Sequence, residues 1–248
     1  MAVTINNATK TAQPGWLKSG ALAAAALAAE EARIATAKEQ SGKMRRFWLN
    51  EGEEKIVTFL DGNLLADGSL DFVKFHEHNF MLNGKGSEFI CTKDVEPCPI
   101  CNAGGDNARS SFIGVFTVLV HTPYTIKQGP NAGKVLKDYR QLYAAKYQTL
   151  QVLQHAATKL KGIAGWRVEI GRMTGKDAKV GSAFQWMGHQ TPAELAAEYG
   201  EESQPADYGK ELSFLSAAEL VKLGLGKPIT GPGYETGGFS GQDAASLM

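Results

Sequence analysis

Cys91, Cys98 and Cys101 are the three thiols of the 248-residue chain, and they fall inside one eleven-residue window. His76 and His78 lie just upstream, so the stretch FHEHNFMLNGKGSEFICTKDVEPCPIC gathers thiolate and imidazole donors in one place. Zinc takes four such donors in a tetrahedron, and a Cys-x-x-Cys turn puts two sulfurs on one ion. Cys98 and Cys101 supply that turn, stiffened by Pro99, and Cys91 at the end of the strand-like SEFIC supplies a third thiolate. Residues two apart on a strand share a face, so His76 and His78 compete for the fourth position. The NGKG turn would fold two strands together and bring His78 towards Cys91, which favours His78, with His76 as the fallback. Four protein donors leave no open position, so the expected cofactor is one structural Zn2+ that staples a loop-rich segment too small for its own core. The competing readings are a redox dithiol and three unrelated buried thiols. A redox motif would need a strand-turn-helix context that is missing here.

The rest of the chain must position that cluster. With 26 basic and 26 acidic residues and 43% hydrophobic content, the composition is that of a soluble globular protein of one or two domains. No apolar run reaches the roughly 20 residues a membrane helix needs, so no membrane partner is expected. The Ala-rich stretch 21–29 continues into EEARIATAKEQ and reads as part of a longer helix, not as a signal peptide. Three cysteines argue against a disulfide framework and for the cytoplasm. Charge is segregated: net +4 over residues 1–47, −7 over 48–108, +8 over 127–179 and −6 over 180–248. A positive field can therefore exist on a neutral chain, as a polyanion site requires; a solvated face is the plainer alternative.

Residues 19–43 read as a helix, with Ser19 as cap and Gly42 as stop. Its small apolar face suits an arm packed on its own domain or on a neighbouring copy. From Arg45 the pattern turns to short strands, RRFWL, EKIVTFL, SLDFVKFHEHNFML, SEFIC, SSFIGVFTVLVH and KVLKDYRQLYA, separated by Gly, Asn and Asp clusters. AKYQTLQVLQHAATKL has helical spacing of Leu150, Leu153, Ala157 and Leu160, and GWRVEIGRM and SAFQWMGH add two strands. The expected fold class is mainly β (α+β), a small closed barrel with an inserted helix and flanking helices. Thr191 with Glu194, and Ser216 with Glu219, form two capping boxes in an acidic helical segment. The expected boundaries are an arm at 1–44, a barrel core at 45–188 with the zinc segment at about 72–108, the acidic helices at 189–226, and a flexible Gly-rich tail at 227–248.

The basic middle carries a second signal. In GKVLKDYRQLYAAKY, lysines and an arginine alternate with Tyr139, Tyr143 and Tyr147. Arg167, Arg172, Lys176 and Lys179 mix with Trp166, Phe184 and Trp186 further on. Cations for phosphates beside rings for bases are the two components of single-strand binding. For each ring, core packing is the competing role, but Lys134, Lys137, Tyr139 and Arg140 on one run favour a surface site.

Over residues 20–225 the order of motifs resembles the single-stranded-DNA-binding proteins of bacteriophages typified by the helix-destabilising protein of the T-even phages. The likeness rests on the Ala/Leu helix, FWLNEGEEKIVTFLDG, then His78, NGKG, Cys91 and CPIC, then GVFTVLV, NAGKVLKDYR and a strand ending at SAFQW. It implies an oligonucleotide-binding (OB) β-barrel interrupted by a zinc-ribbon subdomain, with zinc on His78, Cys91, Cys98 and Cys101. It also implies a DNA cleft lined by Lys134, Lys137, Tyr139 and Arg140, with Phe112, Phe116, Tyr143 and Lys146 as further contacts. In the family the N-terminal arm mediates cooperative self-association along the strand; here Arg45 and Arg46 after the helix are candidate phosphate contacts. The implied roles are in phage DNA replication, recombination and repair in the cytoplasm of an infected bacterium, with phage replication proteins as partners. The family often ends in a long acidic tail that recruits those partners, whereas this chain ends Gly-rich and carries its acidity earlier.

The leading expectation is thus a sequence-independent, non-catalytic protein that coats and protects unpaired DNA. A zinc-ribbon adaptor or transcription regulator that binds protein partners is the alternative. An enzyme would need carboxylates in metal-binding array, and Asp61, Asp67, Asp71 and Glu77 show no such spacing.

Overall fold

A computed structural model describes residues 43–82, 85–105, 108–127, 131–175, 180–181 and 183–227, with scattered positions between 21 and 42. The chain divides into two units, Met1–Lys43 and Met44–Met248. In the first, Ala21, Ala24, Ala25, Leu27, Ala28 and Glu31 are helical and exposed. The expected cap Ser19 and the tail beyond residue 227 lie outside the described residues.

The second unit is α+β and dominated by antiparallel pairing. Its strands are β1 (Glu54–Phe59), β2 (Val73–Leu82), β3 (Lys85–Ile90), β4 (Ser110–Val120), β5 (Tyr124–Thr125), β6 (Val135–Leu136), β7 (Tyr139–Lys146), β8 (Trp166–Gly171) and β9 (Ala183–His189). Its helices are α1 (Pro99–Ala103), α2 (Tyr147–Leu160), α3 (Pro192–Tyr199), α4 (Tyr208–Glu211) and α5 (Ala217–Lys222). Seven strands form one sheet in the order β3-β2-β4-β1-β8-β9, with β7 also on β4, while β5 and β6 make a separate hairpin. β4 is the spine. Residues 110–115 and 118–120 of β4 pair with β2 and β1 in succession, and residues 113–120 pair with β7.

Alternation along β4 explains the core. Phe116, Val118 and Val120 point one way and are buried with Phe59, Tyr143, Val168 and Ile170, while Ile113 and Val115 point the other way onto a second cluster. Rings from opposite ends of the sheet meet: Tyr143 of β7 contacts Phe184 of β9 with centroids 6.5 Å apart. The sheet therefore curls round one core, but the expected closed barrel is not formed. The outer edge of β7 is already taken by the segment before β1, where the Phe47 amide donates to the Leu142 carbonyl (2.8 Å) and the Leu142 amide to that of Arg45 (3.0 Å), so β9 finds no ladder there.

Helix α2 forms where its period said it would, burying Leu150, Leu153 and Ala157 and ending on Lys161 at φ 62. It sits tightly because β4 has Gly114 beneath it; a Cβ there would lie 2.5 Å from Leu150 Cδ2 and 2.7 Å from Phe72 Cδ2. KVLKDYRQLYA is not one strand, as its pattern suggested. Asp138, at φ 53, breaks it into β6 and β7. Its carboxylate bonds His121 Nδ1 (2.7 Å), and His121 Nε2 lies 2.8 Å from the buried Thr58 hydroxyl, so the kink is fastened to the sheet.

Both expected capping boxes are present, at Thr191/Glu194 and Ser216/Glu219. The segment between them packs Ala206, Tyr208 and Leu212 on the second cluster. The Tyr208 hydroxyl and the Thr117 amide both donate to Asp61, and the Ala206 amide donates to the Thr117 hydroxyl at 2.9 Å. Burial pushes the Asp61 carboxyl up to about 6, even though those hydrogen bonds favour its charged form.

Candidate metal centre

β2 and β3 form a hairpin in which His78 faces Phe89 and its other neighbour on β4 is Ser110. The chain leaves β3 at Cys91, whose amide donates to the His76 carbonyl (2.7 Å), makes one 3-10 turn over Thr92–Asp94, and enters α1 with Cys98 at its cap and Pro99 in its first turn. These local turns bring the four donors together. His78 Nε2 lies 3.4 Å from Cys98 Sγ and 3.5 Å from Cys101 Sγ, Cys91 Sγ lies 3.5 Å from Cys101 Sγ, and all four atoms fall within 4.8 Å of one another. A tetrahedron with metal–sulfur bonds of about 2.3 Å and metal–nitrogen bonds of about 2.0 Å has edges of roughly 3.5–3.8 Å. The constellation fits a single tetrahedral ion. Among the described residues it is the one group of His, Cys, Asp or Glu side chains close enough to share one.

His76 is not part of it. Its Nδ1 lies 2.9 Å from Asp94 Oδ2, and its ring meets Phe112 edge-on at 5.5 Å. His76 therefore braces the 3-10 turn that carries the chain from Cys91 to Cys98.

Burial pushes the Cys91 thiol up to about 12 and raises Cys101 as well. For Cys98, burial acts in the same direction, but amide hydrogen bonds from Cys101, Thr92 and Ile100 outweigh it and hold that thiol below its ordinary value. Without a cation this packing opposes three thiolates at once. A bound divalent ion supplies the positive charge that lets all three ionise together.

The cluster has more core than its local sequence offers. Ile100 packs with Cys91 and Cys98 against Leu220 and Leu225, with Phe80, Phe89 and Leu215 at the margin. Glu96 accepts the Ala217 amide (2.6 Å), and the Lys227 amide donates to the Pro99 carbonyl (3.1 Å). The last described helix thus caps the thiols. The sequence presents α5 within an acidic segment; apolar Leu220 and Leu225 in SAAELVKLGLG are the sign that it packs on something.

The expected nucleic-acid contacts separate into groups. Lys134, Lys137, Lys146 and Arg45 are exposed, and Tyr139 and Phe112 are half-buried. Arg140 is held by Glu202, at 3.0 Å, and by the Gln204 carbonyl, at 3.2 Å. Arg46 is paired with buried Glu77 and with Glu88 (3.3 Å), which ties the segment before β1 to the thiol hairpin. Phe116 and Tyr143 are 0% and 1% exposed and belong to the core, because they alternate in register with Gly114 and Val118 and with Ala145. Those two expectations are corrected: the rings are not available to stack on bases. Sequence reading also passed over Trp48, which is 59% exposed with the Arg172 guanidinium 5.1 Å from its ring centre.

No protein-family profile matches the chain, and no curated protein sequence is significantly similar to it.

Proposed function

We propose that the protein binds single-stranded DNA without sequence preference and that its thiol cluster holds one structural zinc ion. The observation that carries the reading is the exposure of Lys134 and Lys137 on the β5–β6 hairpin beside the half-buried ring of Tyr139 at the head of β7. Phosphates need cations on the surface, and unpaired bases need a ring edge or face they can reach. This region offers both, and the order of motifs similar to the phage single-strand-binding family supports the same assignment. The finer fold reading, an OB-type barrel with an inserted zinc ribbon, belongs to this proposal; it is supported by the long β4 shared between β1 and β2 and by the curl of the sheet round one core.

In this reading the zinc holds the β2–β3 hairpin and α1 in place and takes no part in chemistry. The protein coats unpaired DNA, protects it during phage replication, recombination and repair, and associates with neighbours through residues 1–44. Because it binds the unpaired state better, it lowers duplex melting by mass action. No helix among the described residues is long and apolar enough to cross a membrane. The cytoplasm of an infected bacterium is the proposed location.

The test is a titration of intrinsic fluorescence with a poly-dT oligonucleotide and with a duplex of equal length, at several salt concentrations. Quenching by the single strand, weakening as salt rises, is expected. No response at low salt would overturn the reading and leave the zinc-ribbon adaptor as its successor.

A further inference from the structure

A groove of about 480 Å³ runs between helix α2 and the β2–β4 face, apart from the Lys134–Arg140 region. Strand alternation builds one wall from Phe72 and Phe112, which share a face with Gly114, since β2 and β4 pair His76 with Phe112 and Lys74 with Gly114. Helix spacing builds the other, from Tyr147, Gln151, Gln154 and His155. Gly114 sets the depth by letting Phe72 and Leu150 close over it.

The groove is held open by fixed bonds. Gln154 accepts the Leu70 amide (2.7 Å) and donates to the Gly68 carbonyl (3.0 Å), fastening the loop that leads into Phe72 to helix α2. Gln151 donates to the Tyr147 hydroxyl at 3.2 Å and steadies a ring that is 60% exposed. An exposed, tethered tyrosine shares this lining with Phe72 and Phe112, whose rings rest on the core and are only half-buried, so Tyr147 is the ring here most open to stacking.

The charge pattern selects the occupant. The groove lining contains no carboxylate. Exposed Lys74 lies between Phe72 and His76 on β2, and exposed Lys159 follows Thr158 on α2. Exposed Asp71, next in sequence to Phe72, is outside the lining and lies near enough to Asp61 to help raise that carboxyl. A neutral aromatic slot with cations at its margin suits a planar uncharged ring whose connecting chain is anionic. The groove is shallow and open to solvent, a form that admits a chain passing across it rather than an enclosed small ligand.

We infer that this groove is a nucleobase subsite, in which unpaired bases of a single strand stack on Tyr147 and Phe112. The inference rests on the single-strand-binding reading above and adds a second contact region to it.

Affinities for a dT oligonucleotide and for an abasic oligonucleotide of the same length separate base from phosphate binding. The wild-type chain is expected to prefer the dT strand. Tyr147→Ala is expected to lose roughly tenfold in dT affinity while its affinity for the abasic strand stays the same, and Tyr147→Phe is expected to retain both. An unchanged ratio of dT to abasic affinity in Tyr147→Ala overturns the subsite and leaves single-strand binding standing. Absence of dT binding by the wild-type chain overturns both. Photocrosslinking of wild-type protein to a 5-iodouracil oligonucleotide avoids any dependence on the variant's folding: crosslinks at Tyr147 or Phe112 support the subsite, and crosslinks confined to other regions overturn it.

Discussion

Arg140 on β7 donates through Nε to the Glu202 carboxylate at 3.0 Å and through Nη1 to the Gln204 carbonyl at 3.2 Å. A cation in the basic segment is thereby occupied by the acidic one. Exposed pairs of this kind contribute about 0–1 kcal/mol, so the bond is easily exchanged for a phosphate. Glu202→Gln is expected to raise single-strand affinity by up to about fivefold at low salt, with the difference shrinking as salt is added. Equal affinities at low salt would mean that Arg140 does not meet the DNA.

Two tyrosines four residues apart are expected to behave oppositely. Tyr139→Ala should weaken single-strand binding by about 1–3 kcal/mol, read by titration, and should also lower stability because its ring packs on the core. Tyr143 is buried, and its hydroxyl has no hydrogen-bond partner among the described residues. Tyr143→Phe removes that unsatisfied group and is expected to leave the melting temperature unchanged or higher, with DNA affinity unaltered.

Metal removal should be felt as unfolding of the β2–β3 hairpin and α1. Purified protein is expected to contain one zinc per chain, and a strong chelator or His78→Ala is expected to lower the thermal midpoint markedly. His76→Ala should keep the metal, since His76 contacts Asp94 instead. Metal analysis by mass spectrometry distinguishes the two variants.

Gly226 tests the cap over the thiols. It stands at φ +86, and a Cβ would lie 2.3 Å from the Pro99 carbonyl oxygen. Gly226→Ala is expected to cost about 1–3 kcal/mol and to speed zinc release to a chelator. Unchanged release would show that the Leu220–Leu225 cover does not guard the site.

Asp61 gives stability a pH dependence of unusual sign. Its folded value of about 6 lies above its ordinary 3.8, so folding favours the protonated form. The contribution is fully present below about pH 4 and is lost as pH rises through about 6, amounting to roughly 3 kcal/mol at most. The stability difference between wild type and Asp61→Asn, followed by urea titration from pH 4 to 7, is expected to move in favour of the variant as pH rises. A constant difference would show that Asp61 titrates normally.

Local signals were legible in the sequence where local physics decides the outcome. The grouping of Cys91, Cys98 and Cys101, the pairing of the two strands on either side of NGKG, and the two capping boxes depend on a few neighbouring residues, and each is found as read. The choice of His78 over His76 followed from the turn alone. What was not legible depends on distant partners. Phe116 and Tyr143 look like Phe112 and Tyr139 in sequence; only the register of β4 against β7 assigns one pair to the core and leaves the other near the surface. Closure of the barrel could not be judged without knowing that residues 45–47 occupy the edge of β7. The pairing of Arg46 with Glu77 spans 31 residues and has no local sign.

The cover of the thiol cluster has a consequence for synthesis. The four donors are complete once residue 101 has been made, but Leu220 and Leu225, which seal them, come more than a hundred residues later. On a ribosome adding about 5–20 residues per second, the sulfurs stand uncovered for several seconds while their ligand set is already whole. An ion can enter during that interval, and an oxidant can reach the same thiols. Capture of metal early in translation would therefore decide between a sealed, reduced cluster and a chain that carries a wrong disulfide under its final helix.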